Sequence, residues 1–209
     1  AGMRRSRSHD VLPLSTMPLA TPEVLAAAES EKIFAKRWTP GAAIEIVAPA
    51  DGSDPIVLLD GQVLRNGHLD TRPNVRRSVT ETVTVDGEAF TYKVAADGFW
   101  QVHREAPSLL AQVVLDAARG GADGDLTDAT VVDLYSGAGL FTVPLAKAVG
   151  PVGRVVAVEG DERAVKDARR NAHAYEQVEL HVGQVDTVLR TAGLFTVPLA
   201  KAVGPVGRV

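Results

Sequence analysis

The 209-residue sequence contains no cysteine, and this absence excludes several kinds of site. Disulfide bonds, thiolate metal sites, iron–sulfur clusters and cysteine nucleophiles all need that side chain. Aromatic residues are also scarce, at 5% of the chain. No run of about 18–20 apolar residues occurs, so the sequence predicts no transmembrane helix. We therefore expect neither a membrane partner nor a metal or iron–sulfur cluster.

Neither sign of charge dominates the sequence, because 22 Lys and Arg residues nearly balance 26 Asp and Glu residues. With 45% hydrophobic residues, the chain has the composition of a globular protein rather than a disordered one. Any contact with nucleic acid must therefore come from a local basic surface. Residues 1–10 are basic but lack the apolar segment of a secretory signal, so we expect a cytoplasmic location.

Residues 192–209 repeat residues 138–155 letter for letter. Structural repeats that have diverged share a pattern rather than every residue. We interpret the region 191–209 as carrying an artefactual duplicate, with a recent tandem duplication as the alternative. The second copy lacks the strand and loop that precede the first, so we predict no site in it.

The first half of the chain predicts a smaller mixed α+β region over residues 1–100. Thr21-Pro22-Glu23 is typical of a helix start, and this helix is expected to run to about Lys36. Two β-branched runs around Asp86-Gly87 predict a hairpin. Residues 101–124 predict a connecting helix and a Gly/Asp-rich linker. The buried face of that helix is expected to carry Leu109, Leu110, Val113, Val114 and Ala117.

Residues 125–190 alternate between short apolar strands and helices. The order strand, helix, strand, helix, strand is the opening half of a doubly wound parallel sheet. The first strand, Thr130–Tyr135, is expected to be buried on both faces. The predicted fold class is therefore α/β, with an incomplete Rossmann-like sheet after the mixed α+β region.

The loop after the first strand is the main candidate site. Asp133 ends the strand, Gly137 and Gly139 allow close approach of a ligand, and Glu159 ends the second strand. A carboxylate at the position of Glu159 can accept hydrogen bonds from ribose hydroxyls. A dinucleotide site needs a third glycine where Thr142 stands, whereas an S-adenosylmethionine site does not. A nicotinamide or flavin dinucleotide and a structural turn without ligand remain the alternatives.

These motifs resemble those of the RNA 5-methyluridine (uracil-C5) methyltransferases, which are class I S-adenosylmethionine-dependent enzymes. The resemblance covers about residues 2–190. Its main segments are Gly98-Phe99-Trp100-Gln101-Val102, Asp133-Leu134-Tyr135-Ser136-Gly137-Ala138-Gly139-Leu140-Phe141 and Val158-Glu159. It implies methylation of carbon 5 of a uridine in rRNA or tRNA. The cofactor contacts that it implies are Gln101, Tyr135, Gly137, Gly139 and Glu159, and Asp133 lies beside the loop.

Three departures from the family limit what this chain is expected to do. Some members bind a [4Fe–4S] cluster through cysteines, one of them where Met17 stands, and this chain has none. The Asp-Pro-Pro-Arg motif, the nucleophilic cysteine and the general-base glutamate are also missing before residue 191. Carbon 5 of uracil becomes nucleophilic only after a nucleophile adds to carbon 6. We therefore expect a chain that is truncated before its catalytic part, has no catalytic residue and is inactive alone.

Two clusters of arginines are candidates for RNA contact. They comprise Arg4, Arg5 and Arg7 near the start and Arg72, Arg76 and Arg77 near the middle of the chain. Guanidinium groups bind phosphates, but charged clusters are often simply solvated surfaces. The alternatives to an RNA methyltransferase are a non-catalytic RNA- or nucleotide-binding fragment and a methyltransferase of another substrate class. The sequence does not predict an oligomeric state.

Overall fold

The computed structural model of the protein describes residues 1–8, 10–121 and 124–191. The repeated segment 192–209, where we predict no site, lies outside them. The described residues form two compact units, Ala1–Val79 and the part from Thr80 onward. In the described part, no helix is both long and apolar enough to cross a membrane.

The first unit packs one helix, α1 (Pro22–Ser30), against a small antiparallel sheet. The strands of this unit are β1 (Gly2–Arg4), β2 (Val11–Pro13), β3 (Ile44–Val47), β4 (Ile56–Leu59), β5 (Gln62–Arg65) and β6 (His68–Leu69). Strands β3 to β6 pair in chain order, and β1 pairs with β2 separately. The core contains Ala28 and Ile33 from the helix side and Val57 and Leu64 from the sheet.

Helix α1 ends earlier than the sequence predicts, at Ser30 rather than Lys36. Lys32 has a φ of +56°, which a helix cannot continue through. The carboxylate of Glu31 accepts hydrogen bonds from the backbone N–H groups of Asn66 and Gly67, at 2.8 and 2.7 Å. These long-range bonds hold the end of the helix at the β5–β6 turn, and a local pattern does not reveal them.

The second unit contains a hairpin and a parallel sheet with its helices. The elements are β7 (Ser78–Val85), β8 (Glu88–Ala95), α2 (Ala106–Gly120), β9 (Thr130–Leu134), α3 (Thr142–Val149), β10 (Arg154–Glu159), α4 (Glu162–Asn171), β11 (Val178–Val182) and α5 (Val185–Thr191). The sheet is parallel with the order β11-β10-β9. The predicted fold class, α/β with a Rossmann-like sheet after a mixed α+β region, is confirmed.

The centre of this sheet is β10, whose residues Val155 to Val158 are fully buried. Val156 and Val158 pack with Val188 of α5 on one face. Val155 and Ala157 alternate with them and point to the other face. Helices α3 and α4 also pack on the strand. Strand β9 is only partly buried, contrary to the prediction, because it is an edge strand of the sheet among the described residues.

The hairpin β7–β8 forms as predicted, with Asp86 and Gly87 at φ +52° and +76°. It belongs largely to the second unit, although the sequence pattern predicts it as part of the mixed α+β region 1–100. The reason is that β8 packs against α4. Hydrogen bonds from Lys93 and Ala95 of β8 to side chains of α4 hold the two elements together.

Helix α2 buries a different face from the predicted one. Pro107, Ala111 and Leu115 are buried at helical spacing. Leu109 and Val113, which were expected inside, are 63% and 54% exposed. The helix offers two apolar stripes, and periodicity alone does not tell which of them the rest of the unit covers.

Candidate functional site

The loop between β9 and α3 has an unusual backbone. Tyr135, Gly137 and Gly139 have φ values of +62°, +54° and +90°. Glycine adopts this region freely, whereas a residue with a side chain pays about 1–2 kcal/mol for it. The N–H of Ser136 donates to Val158 O at 3.1 Å, and that of Gly139 donates to Ser136 O at 2.9 Å. The loop therefore turns sharply at the carboxyl ends of two parallel strands, where open α/β sheets bind ligands.

Glu159, at the end of β10, links this loop to the next one. One carboxylate oxygen accepts a hydrogen bond from the N–H of Gly137, and the other accepts one from the N–H of Asp161, both at 2.9 Å. The residue is only partly buried. Each carboxylate oxygen has a second lone pair, so a ligand hydroxyl can still donate to Glu159. The structure thus brings together Glu159 and Gly137 from opposite ends of the motif.

Asp133 lies behind the loop rather than at its mouth. Its carboxylate is 6% exposed and accepts a hydrogen bond of 2.5 Å from the hydroxyl of Thr142, in the first turn of α3. Burial raises the pKa of Asp133 to about 6, the bonds from Thr142 oppose this, and the negative charge of Glu159 adds to it. Asp133 therefore anchors the start of α3, and its predicted contact with a cofactor stays a prediction.

Two further features mark the front of the loop. A Cβ added to Gly137 would have no heavy atom within 4 Å, so this glycine borders open space. The hydroxyl of Ser136 is buried and has no hydrogen-bond partner among the described residues. Buried polar groups are nearly always satisfied, and an unsatisfied one is commonly explained by a ligand or water. The loop therefore borders open space at Gly137 and holds a buried hydroxyl without a described partner at Ser136.

Gln101, the predicted contact outside the parallel sheet, is partly buried in the segment after β8. Its neighbour Trp100 packs against Tyr92, with ring centroids 5.4 Å apart. The hydroxyl of Tyr92 in turn donates to the carbonyl of Leu140 at 3.0 Å. This chain of contacts connects the 98–101 segment with the glycine loop. Among the described residues, no hydrogen bond of the Gln101 side chain supports a role for it, so that role stays a prediction.

The candidate RNA-binding arginines belong to the first unit, and their surroundings differ. Arg72 pairs with Asp70 through two hydrogen bonds of 2.8 and 2.5 Å, which hold the pKa of Asp70 at about 2. Arg76 donates to the hydroxyl of Ser53 and to the carbonyl of Asp54. Arg77 is exposed. Arg77 is therefore better placed than Arg72 to bind a phosphate.

Arg76 also lines a cavity of about 460 Å³ in the first unit, together with Arg65 and Glu31. Arg5 and Arg7 are exposed, and the side chain of Arg4 lies outside what the structure describes.

Among the described residues, no group of three or more His, Asp or Glu side chains could hold a metal ion.

Sequence reasoning missed the residues that support the loop from behind. They are Tyr92 of β8, Asn171 of α4 and Thr142 of α3. Period-two alternation in β8 could have identified Tyr92 as an inward-facing residue. Its partner, Leu140, is 48 positions away in the sequence, and no local pattern indicates that contact.

The part of the chain with this loop matches a known family model. Residues 125–190 match the model described as Protein-L-isoaspartate(D-aspartate) O-methyltransferase. Over 199 residues, 90% of the chain, the sequence is 37% identical to an uncharacterized RNA methyltransferase of Bifidobacterium longum (strain NCC 2705). The chain is similar to proteins named as RNA methyltransferases. It spans 43% of the length of the Bifidobacterium protein.

One shorter alignment and one solved structure are further matches to proteins named as methyltransferases. Over 93 residues the chain is 38% identical to a tRNA/tmRNA (uracil-C(5))-methyltransferase of Saccharophagus degradans, covering 44% of this chain and 23% of that protein. The structure of a SAM-dependent methyltransferase from Aquifex aeolicus aligns at 28% identity and a TM-score of 0.29. That alignment covers 33% of this chain and 38% of the other.

Proposed function

We propose that the protein is an S-adenosylmethionine-dependent RNA methyltransferase whose β9–α3 loop binds the cofactor. The observation that carries this proposal is the bond between Gly137 and Glu159 at the carboxyl ends of β9 and β10. It holds an open glycine loop and a carboxylate side by side, as a nucleoside ligand needs. The similarity to proteins named as RNA methyltransferases supports the reaction class.

The residues present fit this cofactor. We assign the ribose hydroxyls to the remaining lone pairs of Glu159. The space beside Gly137 admits the ligand without a side chain in the way. Tyr135 is 75% exposed next to this space and can cover one face of the ligand. When bound, S-adenosylmethionine supplies a methyl group activated by its sulfonium.

A dinucleotide fits the loop less well. Its pyrophosphate would need a bare backbone at the third glycine position, at the start of α3. Thr142 occupies this position, is fully buried, and directs its hydroxyl to Asp133. The first turn of α3 is therefore packed against the protein, which favours a cofactor without a pyrophosphate.

The finer proposal is that the target is carbon 5 of a uridine in rRNA or tRNA. The family resemblance and the Saccharophagus relative support it. Addition of a nucleophile to carbon 6 makes carbon 5 reactive, and the sequence has no cysteine to supply a thiolate. We therefore expect this chain alone to bind the cofactor and to transfer no methyl group to uridine. A non-catalytic RNA- or nucleotide-binding role is the alternative that the missing cysteine favours.

Calorimetric titration with S-adenosylhomocysteine tests the cofactor proposal. We expect the intact chain to bind it and the Glu159→Gln variant to lose about 1–3 kcal/mol of binding free energy, because a charged acceptor is replaced by an amide. Glu176→Gln, the same change at an exposed position, is the control and should bind as the wild type does. Absence of binding to the intact chain would contradict the proposal and leave only the alternative role.

RNA binding is tested by the salt dependence of affinity for a single-stranded uridine-containing RNA. If Arg77 contacts a phosphate, Arg77→Ala should weaken binding and lower the slope of log K against log salt by about 1. Arg72→Ala should have less effect, because Asp70 already pairs with that guanidinium. Equal slopes for the wild type and both variants would contradict a phosphate contact in this segment.

A further inference from the structure

The outer edge of strand β8 is held by side chains of helix α4 instead of by another strand. The amide oxygen of Asn171 accepts from Lys93 N at 2.8 Å, and its amide nitrogen donates to Lys93 O at 3.2 Å. Asn171 therefore pairs with the backbone of Lys93 as a neighbouring strand would. One turn earlier in α4, the carboxylate of Asp167 accepts from Ala95 N at 2.8 Å. The hairpin is thus docked along α4 in a fixed register.

Two hydrogen bonds reach the glycine loop, one from α4 and one from the hairpin. The amide nitrogen of Asn171 also donates to the carbonyl of Ala138 at 2.9 Å. The hydroxyl of Tyr92 donates to the carbonyl of Leu140 at 3.0 Å. Ala138 and Leu140 are the two neighbours of Gly139, the residue with φ +90°. Hydrogen bonds therefore hold the loop on both sides of Gly139.

Both carbonyls need these donors because the start of α3 cannot supply them. In a helix, each carbonyl accepts from the N–H four residues later. For Leu140 that residue is Pro144, which has no N–H. Ala138 lies four residues before the first residue of α3, so its carbonyl is outside the hydrogen-bonding pattern of the helix. Ala138 and Leu140 are buried, so a carbonyl without a partner there would be costly.

Tyr92 is suited to this task by its surroundings. It has no exposed surface, and its ring packs against Trp100, the neighbour of Gln101. Burial raises the pKa of the Tyr92 hydroxyl far above its usual value, so it stays a donor at every physiological pH. A single side chain thus contacts both the glycine loop and the segment that carries the other predicted cofactor contact.

We propose that Tyr92 and Asn171 are positioning residues that hold the β9–α3 loop in its ligand-binding conformation, with the β7–β8 hairpin as their support. This inference rests on the proposed cofactor site. It adds to that site a second element, outside the parallel sheet, that determines its shape. Neither residue needs to touch the ligand, because each acts through a loop carbonyl.

The test combines amide hydrogen exchange of the ligand-free protein with S-adenosylhomocysteine affinity. Tyr92→Phe removes only the hydroxyl and keeps the ring against Trp100. We expect exchange of the loop amides of 137–140 to accelerate about tenfold and the dissociation constant to rise by a similar factor. The amides of β10 should exchange as before, since a general loss of stability would accelerate them as well. Tyr175→Phe, at a partly buried tyrosine outside these contacts, is the control.

Asn171→Asp provides a second variant, because it keeps the acceptor for Lys93 N and removes the amide donor to Ala138 O and Lys93 O. It should accelerate exchange in the same loop amides. Unchanged loop exchange in both variants would overturn the positioning role, whether or not the ligand binds. If the wild type fails to bind S-adenosylhomocysteine while loop exchange responds as expected, the proposed function fails and the support of the loop stands.

Discussion

Folding removes the carboxyl group of Asp133 from water. The hydrogen bonds from Thr142 offset only part of the cost of burying its charge. Its pKa is raised from the usual 3.8 of an aspartate to about 6, first by burial and further by the charge of Glu159. A carboxyl whose pKa is higher in the folded state binds a proton more tightly there than in the unfolded chain. Its contribution to stability is therefore complete below about pH 4 and is lost as the pH rises through about 6.

Replacing Asp133 by Asn should remove this pH dependence. The amide oxygen can still accept from Thr142, but it does not ionise. We expect the unfolding free energy of Asp133→Asn, relative to wild type, to increase by about 2–3 kcal/mol between pH 4 and pH 7. Urea unfolding of both proteins across this range measures it, and titrating groups that do not interact with Asp133 cancel in the difference. A difference that stays constant with pH would contradict the raised pKa.

At the scale of elements, helix α2 shows how packing selects between two apolar stripes. Leu115 is 4% exposed and Leu109 is 63% exposed, although both are leucines of the same helix. We expect Leu115→Ala to lower the unfolding free energy by about 2–4 kcal/mol, through lost burial and a cavity. Leu109→Ala should change it by less than about 0.5 kcal/mol. Equal losses in denaturant unfolding would mean that the described packing of α2 is wrong.

The ends of the helices show which local sequence signals are sufficient to predict a helix boundary. Asp161 caps α4, accepting from the N–H of Arg163 at 2.7 Å, as is typical of an aspartate directly before a helix. Thr21-Pro22 correctly predicts the start of α1, but the hydroxyl of Thr21 forms no cap bond. The end of α1 could not be predicted, because bonds between Glu31 and the β5–β6 turn decide it. Local chemistry therefore predicted where helices begin better than where they end.

For the site, the sequence predicted the parts that are close together along the chain. The turn at Gly137 and Gly139 and the carboxylate at Glu159 follow from spacing along a strand–helix–strand unit, and the structure joins them by a hydrogen bond. The supports of the loop could not be predicted in this way. Tyr92 of β8 is 48 positions from its partner Leu140, and Asn171 of α4 is 33 positions from its partner Ala138. Both contacts depend on the three-dimensional packing of the hairpin and the helix against the loop.

At the scale of the whole molecule, the two units have different expected tasks. The parallel sheet of the second unit carries the proposed cofactor site, and the candidate RNA-binding arginines lie in the first unit. The chain spans less than half the length of the relatives named above, so the activity of the whole protein stays a proposal. Cofactor binding, by contrast, is a property that we assign to described residues of this chain.

Photolabelling with tritiated S-adenosylmethionine tests that assignment most directly. Trypsin releases the loop in the peptide 120–147. It releases most of the repeated segment in the peptide 191–201, which lacks the Tyr-Ser-Gly sequence that precedes the first copy. We predict that the label enters 120–147, that excess S-adenosylhomocysteine prevents this, and that 191–201 stays unlabelled. Label confined to other peptides, or label in 120–147 that S-adenosylhomocysteine does not displace, would contradict a cofactor site at the β9–α3 loop.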